Sequence, residues 1–230
     1  MEPAGDLRSR FHHELAAVDA QLSELAGLVC GAVADATEGL LRQDAAVSVE
    51  IARRAHWSDP VYAQVAQHVE VLMARQAPMA RDLRYLLAVL RVIPELEQSA
   101  GLATEIAHRG GLGIAGALTP RARALVTRSG DIVTAMWNEL TAAWARGDIA
   151  DDLDAVQQEL HDLHTSLTAE VASSGMPASV TMDMALIGRF YERLGDHAVN
   201  IADRLDALNA LATQPGPAAA TAEGAQAAAP

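Results

Sequence analysis

Apolar residues recur along this chain at steps of three and four positions, which is the spacing of an amphipathic helix. The clearest run extends from Phe11 to Leu40 and predicts a helix roughly 45 Å long at 1.5 Å per residue. Pro60 and Pro94 lie inside later runs, where they predict a weak point at 58–60 and a kink, because proline removes a helical hydrogen bond. The pattern predicts five further helices, at about 44–74, 79–109, 119–146, 149–173 and 178–210.

A glycine-rich stretch divides this pattern into two halves. Four glycines fall within Gly110–Gly116, and their backbone entropy opposes a helix. A shift of 95 residues aligns Leu96-Glu97 with Tyr191-Glu192, as a duplication would. The sequence therefore predicts an all-α protein of two tandem three-helix bundles. The expected units are a first bundle at 7–109, a linker at 110–118, a second bundle at 119–211 and a disordered Ala/Pro-rich tail at 212–230.

Charge narrows the partners that the protein can bind. The chain has 17 basic residues, all of them Arg, against 30 Asp and Glu residues, for a formal net charge of −13. The arginines look dispersed, so phosphate backbones and anionic lipid should repel the protein, and nucleic acid is not expected as a ligand. An acidic surface suits metal cations or the basic faces of other proteins.

No segment indicates secretion or insertion into a membrane. The first six residues include Glu2 and Asp6 and no basic residue, whereas a signal peptide begins with basic residues. The uncharged apolar runs are shorter than the roughly 18 to 20 residues that span a bilayer. We expect a cytoplasmic protein that reaches the membrane only through partners. The single cysteine, Cys30, is expected to be a small buried hydrophobic residue.

The sequence carries none of the common catalytic motifs. It has no G-x-S-x-G, no H-E-x-x-H and no C-x-x-C, which are the signatures of activated nucleophiles, zinc proteases and redox or metal thiols. The Gly110–Gly116 cluster lacks the Lys-Ser/Thr that ends a phosphate-binding loop. The protein is therefore predicted not to be an enzyme.

The sixth predicted helix carries a row of oxygen ligands. Glu192, Asp196 and Asn200 are four residues apart, which places them on one helix face, away from the apolar stripe. Two carboxylates at this spacing repel each other, and such a row suits a hard cation or iron if a second helix brings matching ligands. The alternative is an ordinary polar face on which Arg189 and Arg193 supply local ion pairs.

The fifth predicted helix offers the matching ligands. Glu159 and Asp162 are compatible with a metal site, and His161 and His164 share a face three residues apart. His197, next to the acidic row, is better explained as a hydrogen-bonded core residue.

Three segments resemble a known family. Residues 75–84 read RQAPMARDLR, residues 192–202 read ERLGDHAVNIA and residues 11–15 read FHHEL. These are similar to the R-Q-x-P-x-A-x-D-L-R, E-R-I-G-D-H-A-x-N-I-A and F-H-x-E-L stretches of the PhoU family, and the resemblance covers about residues 7–210. From the first segment we predict a set of partner-binding residues, Arg75, Gln76, Pro78, Arg81, Asp82 and Arg84.

The resemblance implies a fold and a metal. The two bundles should be related by pseudo-twofold symmetry, and an E/D-x-x-x-D motif in each half should be able to hold iron or zinc. Glu192 and Asp196 fill that motif in the second half. In the first half Glu97 is kept, but Gly101 replaces the Asp, and Arg54 stands where an acidic residue is expected. The predicted metal ligands are therefore Glu192, Asp196, Asn200, Glu159, Asp162 and Glu97.

The resemblance also implies a function. The protein should be a homodimeric regulatory adaptor that dampens the phosphate-starvation response by linking the ATPase subunit of the Pst phosphate transporter to a sensor histidine kinase. The alternative, carried by the acidic row and the fifth helix, is a metal-binding bundle for iron or zinc storage or redox chemistry. A third possibility is a structural bundle whose acidic faces only keep it soluble.

Overall fold

Six long helices make up the fold. The computed structural model describes residues 4–146 and 153–213, with side chains except at 4–7, 56–58 and 209–213. These ranges contain no strand, so the all-α prediction is confirmed there. The predicted break at 147–148 and the tail beyond residue 213 lie outside them. The helices are α1 (Ala4–Arg42), α2 (Ala45–Gln76), α3 (Ala80–Gly111), α4 (Pro120–Arg146), α5 (Leu153–Ser173) and α6 (Ala178–Thr213).

Helix ends follow local chemistry in some places and tertiary packing in others. Asp44 caps α2 by accepting a 2.9 Å hydrogen bond from the backbone N–H of Ala46, as short polar side chains commonly do. Pro60 and Pro94 do not end their helices, because α2 and α3 continue through them. The predicted linker also begins later than expected, since α3 continues to Gly111.

The glycines at the end of α3 are helical because the helix is packed closely there. A Cβ on Gly110 would lie 2.6 Å from the Cα of Leu40 on α1, so only glycine allows this approach. A short 3-10 helix (Ile114–Ala117) follows. The guanidinium of Arg123, on α4, donates to the carbonyls of Leu41 and Ala115 at 2.8 Å each. It thereby links the 3-10 helix to both bundles. The predicted linker is therefore a packed connection in this region.

The helices pack as two three-helix bundles. Helices α1, α2 and α3 contact one another, as do α4, α5 and α6, and the bundles meet where α1 lies against α4 and α3 against α6. Each of these contacts between the bundles joins a helix of the first bundle to the helix at the same position in the second bundle. The arrangement confirms the predicted two-bundle fold.

The seam between α1, α4 and α6 contains a buried hydroxyl pair. Thr37 and Tyr191 are 2.8 Å apart between their hydroxyl oxygens, and Tyr191 is completely buried. Gly130 on α4 lies so close that a Cβ there would be 2.4–3.0 Å from three atoms of the Thr37 side chain. Trp137 donates its indole N–H to the carbonyl of Leu194 at 3.1 Å. These contacts fix the rotation of α6 about its axis.

The α3–α6 contact is antiparallel and polar at three levels. Arg204 pairs with Glu95 at 2.7 Å near one end, and Arg109 lies 3.5 Å from Asp183 near the other. Between them, Ser99 and His197 are 2.8 Å apart. Because polar pairs occur at three positions along the two helices, they specify one lengthwise alignment of α3 with α6.

Helix α1 is long and apolar enough to span a membrane by length and composition, with a mean hydropathy of 1.3 over 18 residues within Arg8–Arg42. In the structure its apolar residues form part of the core: Val18, Leu22, Val33 and Leu40 are completely buried. Contacts with α2, α3 and α4 bury 39% of that 18-residue window.

We predict that adding one methyl group has opposite effects at two helical glycines. Gly130→Ala should lower the free energy of unfolding by about 1–3 kcal/mol, because it overpacks the seam against Thr37. Gly101→Ala should raise the free energy of unfolding by about 0.5–1 kcal/mol. This glycine is exposed, a Cβ added to it would meet no neighbouring atom within 4 Å, and alanine favours the helix. Urea unfolding of both variants checks this, and a shift of both in the same direction would contradict the seam geometry.

Candidate functional site

Glu192 lies at the centre of the candidate site, on the side of α6 that faces α5. Its side chain is only 10% exposed, and both carboxylate oxygens are occupied. Oε1 accepts from Nδ1 of His161 at 2.7 Å, and Oε2 lies 3.0 Å from Nδ1 of His164. Arg189, one turn earlier on α6, also donates to Oε2. We call Arg189, His161 and His164 the Glu192 clamp.

The clamp keeps Glu192 ionised despite its burial. Burial by itself raises the pKa of the Glu192 carboxyl, but hydrogen bonds from His161 and Arg189 and the charges of His164 and Arg189 outweigh it. The pKa therefore lies below its ordinary value. Charge-assisted hydrogen bonds of this kind are stronger than bonds between neutral groups.

Asp196 lies one turn further along α6 and meets a different α5 residue. Its Oδ1 accepts a 2.7 Å hydrogen bond from Nε2 of Gln157. Gln157 and His161 are themselves four residues apart, so they form one face of α5 opposite the two carboxylates. The sequence indicated that His161 and His164 share a face, but Gln157 was missed because nothing in its own segment marks it.

The other predicted metal ligands lie elsewhere. Asn200 is exposed on α6, and its backbone carbonyl accepts from Arg204 at 2.8 Å. Glu159 accepts two bonds from Arg128 on α4, at 2.7 and 2.9 Å. Asp162 accepts from Gln158 on its own helix at 3.2 Å, and Glu97 is exposed on α3. Of the six predicted ligands, the structure brings only Glu192 and Asp196 together.

The residues present do not fit the metal site that the family resemblance implies. Within the described ranges, no group of three or more His, Cys, Asp or Glu side chains is placed to hold a metal ion. Both motif carboxylates accept hydrogen bonds from α5, and Arg189 brings a permanent positive charge to one of them. The predicted iron or zinc site stays a prediction.

The first bundle differs in a parallel way. Arg54 lies between two carboxylates, 2.8 Å from Asp35 and 2.9 Å from Glu50, where an acidic residue was expected. Hydrogen bonds from Arg53 and Arg54 lower the pKa of Glu50 to about 2. Gly101, which replaces the motif Asp, is exposed. A guanidinium thus lies among the carboxylates in this half as well.

An open cleft lies beside the Glu192 clamp. It has a volume of about 540 Å³ and is open to solvent. Two threonines contribute hydroxyl groups, and two alanines contribute methyl groups. The lining residues are His161, His164, Thr165, Thr168, Ala169, Ala172, Arg189 and Glu192.

A second notable surface is the turn between α2 and α3, residues 75–84, which we call the α2–α3 tip. Arg75, Gln76, Arg81 and Arg84 are exposed there, while Pro78 and Asp82 are half-buried. Met79 is 80% exposed. None of the three arginines forms an ion pair with another described residue. Three of the 17 arginines thus lie at this tip without an ion pair to a described residue.

His197 has the structural role that the sequence indicated. The Ser99 hydroxyl donates to the carbonyl of Glu95 at 2.6 Å, so its oxygen is left to accept from the Nδ1–H of His197. Burial and the charge of Arg193 lower the pKa of His197, and Asp196 opposes them only in part. The imidazole is thus held neutral in the folded protein.

We predict that His197 makes the fold sensitive to acid. An unfolded histidine titrates near pH 6.5, above the folded pKa, so the unfolded state binds the proton first as the pH falls. The stabilisation that the neutral imidazole contributes is therefore fully present above about pH 6.5, and it decreases as the pH falls toward the folded pKa. Urea unfolding at about pH 7.5 and 5.5 should show a larger loss for the wild type than for His197→Leu. Equal losses in the two proteins would contradict this role.

Comparison with known proteins connects these features to one family. The family model for the PhoU domain matches residues 22–110 and 126–205, one match in each bundle. The phosphate-specific transport system accessory protein PhoU homolog 2 of Mycobacterium tuberculosis is 26% identical over 211 residues, covering 86% of this chain and 96% of its own. The PhoU homolog of Rhizobium meliloti is 28% identical, with 86% of each chain covered.

Solved structures agree with this assignment. The crystal structure of PhoU from Pseudomonas aeruginosa superimposes with a TM-score of 0.80 at 25% identity, covering 86% of this chain and 98% of that one. The phosphate transport system regulatory protein PhoU of Streptococcus pneumoniae shares the fold, with a TM-score of 0.74 at 19% identity over 86% and 96% of the two chains. With both halves matched and the two-bundle fold in common, the chain belongs to the PhoU family.

Proposed function

We propose that this protein is a cytoplasmic regulatory adaptor of phosphate homeostasis that acts by binding and not by catalysis. It dampens the phosphate-starvation response by linking the ATPase subunit of the phosphate transporter to a sensor histidine kinase. The observation that carries the proposal is the family match in both bundles, supported by relatives named for phosphate transport that cover 86% of the chain.

The shape of the molecule suits an adaptor. The bundles pack side by side through α1/α4 and α3/α6, so surfaces on the two halves keep a fixed spacing when partners bind. Partner recognition then needs exposed groups that are not already satisfied within the chain.

We assign one partner surface to the α2–α3 tip. Arg75, Arg81 and Arg84 have no ionic partner among the described residues, and they flank the exposed Met79 in the sequence. On a chain with a net charge of −13, a basic tip selects a partner that presents acidic groups. Such complementarity speeds association and excludes wrong partners. Asp82 and Pro78, both half-buried, shape the turn.

The proposal includes self-association as a homodimer. Met182 and Leu186 form an exposed apolar pair one turn apart on α6, 68% and 41% exposed. Leu87, the residue that the 95-residue shift pairs with Met182, is also exposed at 41%. Light scattering of the purified chain measures whether a dimer forms.

We predict that the tip arginines carry partner binding. The transporter ATPase subunit and the cytoplasmic part of the kinase should each be retained by the wild type at micromolar concentration. The variant Arg75→Ala/Arg81→Ala/Arg84→Ala should bind at least one of them about tenfold more weakly, a loss of about 1.4 kcal/mol, and with a weaker dependence on salt. Biolayer interferometry measures both effects.

The matched control removes the same charge elsewhere. Arg42, Arg53 and Arg128 are exposed and paired with Glu residues, so Arg42→Ala/Arg53→Ala/Arg128→Ala should bind like the wild type. Failure of the wild type to retain either protein would contradict the adaptor proposal. Equal weakening of the two triple variants would overturn only the assignment of the tip.

A further inference from the structure

The second-bundle motif keeps both carboxylates of the family pattern, but its surroundings do not match the metal site that the resemblance implies. The resemblance implies metal at a pair of carboxylates, and Glu192 and Asp196 are indeed adjacent on α6. The residues that face them from α5 are Gln157, His161 and His164. All three present hydrogen-bond donors to the carboxylates, and none of them is acidic.

The contacts leave little room for a metal ion at Glu192. One oxygen accepts from His161, and the other is shared by His164 and Arg189. Each imidazole can donate its Nδ1–H whether or not the ring is charged, while Arg189 is always charged. An incoming cation would have to displace these donors and would be repelled by the guanidinium.

The energetic problem of a buried carboxylate is also solved without metal. An ionised group that is 10% exposed requires a charge partner and hydrogen bonds. Arg189 supplies the charge, and the two histidines supply donors from the facing helix. The clamp therefore joins α5 to α6 by the same carboxylate that a metal ion would use.

The first bundle offers an independent parallel. Arg54 bridges Asp35 on α1 and Glu50 on α2, and Gly101 stands in place of the second motif carboxylate. In the first half an arginine itself occupies a position where the family resemblance implies an acidic ligand, and in the second half Arg189 lies against the motif carboxylate Glu192.

We propose that the Glu192 clamp replaces a metal ion as the link between α5 and α6, and that this protein folds and stays assembled without bound metal. Arg189 opposes metal binding by its charge, Gln157 by donating to Asp196, and His161 by donating its Nδ1–H to Glu192 in place of coordinating an ion, although an imidazole is itself a common zinc ligand. The proposal does not depend on the adaptor function, because it concerns only what holds the second bundle together.

The first experiment uses the full-length wild-type protein. After purification without chelator and dialysis, elemental analysis should find less than one equivalent of iron or zinc for each chain. The thermal midpoint should be the same with EDTA, with Zn²⁺ and with Fe²⁺ under reducing conditions, because a ligand that binds only the folded state would raise it. Retention of one equivalent or more, or a lower midpoint in EDTA, would overturn the proposal.

The second experiment converts the Glu192 clamp into a site made of carboxylates. Gln157→Glu/His161→Glu/Arg189→Ala places four carboxylates on two facing helices and removes the guanidinium. This variant should melt below the wild type without metal and gain thermal stability when Zn²⁺ is added, since oxygen-rich sites bind divalent cations. Calorimetric titration of Zn²⁺ should detect a site in this variant and none in the wild type.

The control changes the net charge equally at exposed positions. Gln21→Glu/His108→Glu/Arg53→Ala makes the same three kinds of change at exposed positions on α1, α3 and α2, and it should show neither Zn²⁺ binding nor stabilisation by it, because none of these residues lies at the Glu192 clamp. A converted variant that folds but gains no Zn²⁺ site would overturn the assignment of the three deciding residues. If the converted variant does not fold even with Zn²⁺, the wild-type metal content and midpoints decide the proposal.

Discussion

The close approach of α1 to α4 determines how the rest of the molecule is arranged. Gly130 leaves room for Thr37, whose hydroxyl meets the buried hydroxyl of Tyr191 on α6. Once Tyr191 points into this seam, the next residue is turned by about 100° and Glu192 faces α5. Asp196 follows one turn later on the same side. The packing between bundles thus sets the direction of the motif carboxylates, although neither carboxylate lies in the seam itself.

Because the direction of the motif carboxylates depends on packing between helices, only part of the site could be predicted from the sequence. Apolar periodicity reports one helix at a time, so it located all six helices and placed Glu192 and Asp196 on one face. It contains no information about the rotation of neighbouring helices. Glu159 and Asp162 therefore looked like facing ligands, whereas α5 presents Gln157 and His161 instead.

Local propensity was overridden where backbones pack closely. Gly110 and Gly111 were expected to end the third helix, but contact with Leu40 and Ser48 makes their lack of a side chain an advantage within it. His197 shows the opposite case. Its role as a hydrogen-bonded core residue followed from its place beside the apolar stripe, and the structure supplies Ser99 as its partner.

These features describe a protein whose second-bundle motif carboxylates accept hydrogen bonds from α5, and in which three arginines without an ion pair to a described residue lie at the α2–α3 tip. Its specific chemistry is therefore expected at surfaces, as a regulator requires. The most direct test is a phosphatase reporter under abundant phosphate, in a strain whose only PhoU-family gene encodes this chain. Deletion should raise reporter activity, and the plasmid-borne wild-type gene should restore repression. A reporter that stays low after deletion would contradict the regulatory role.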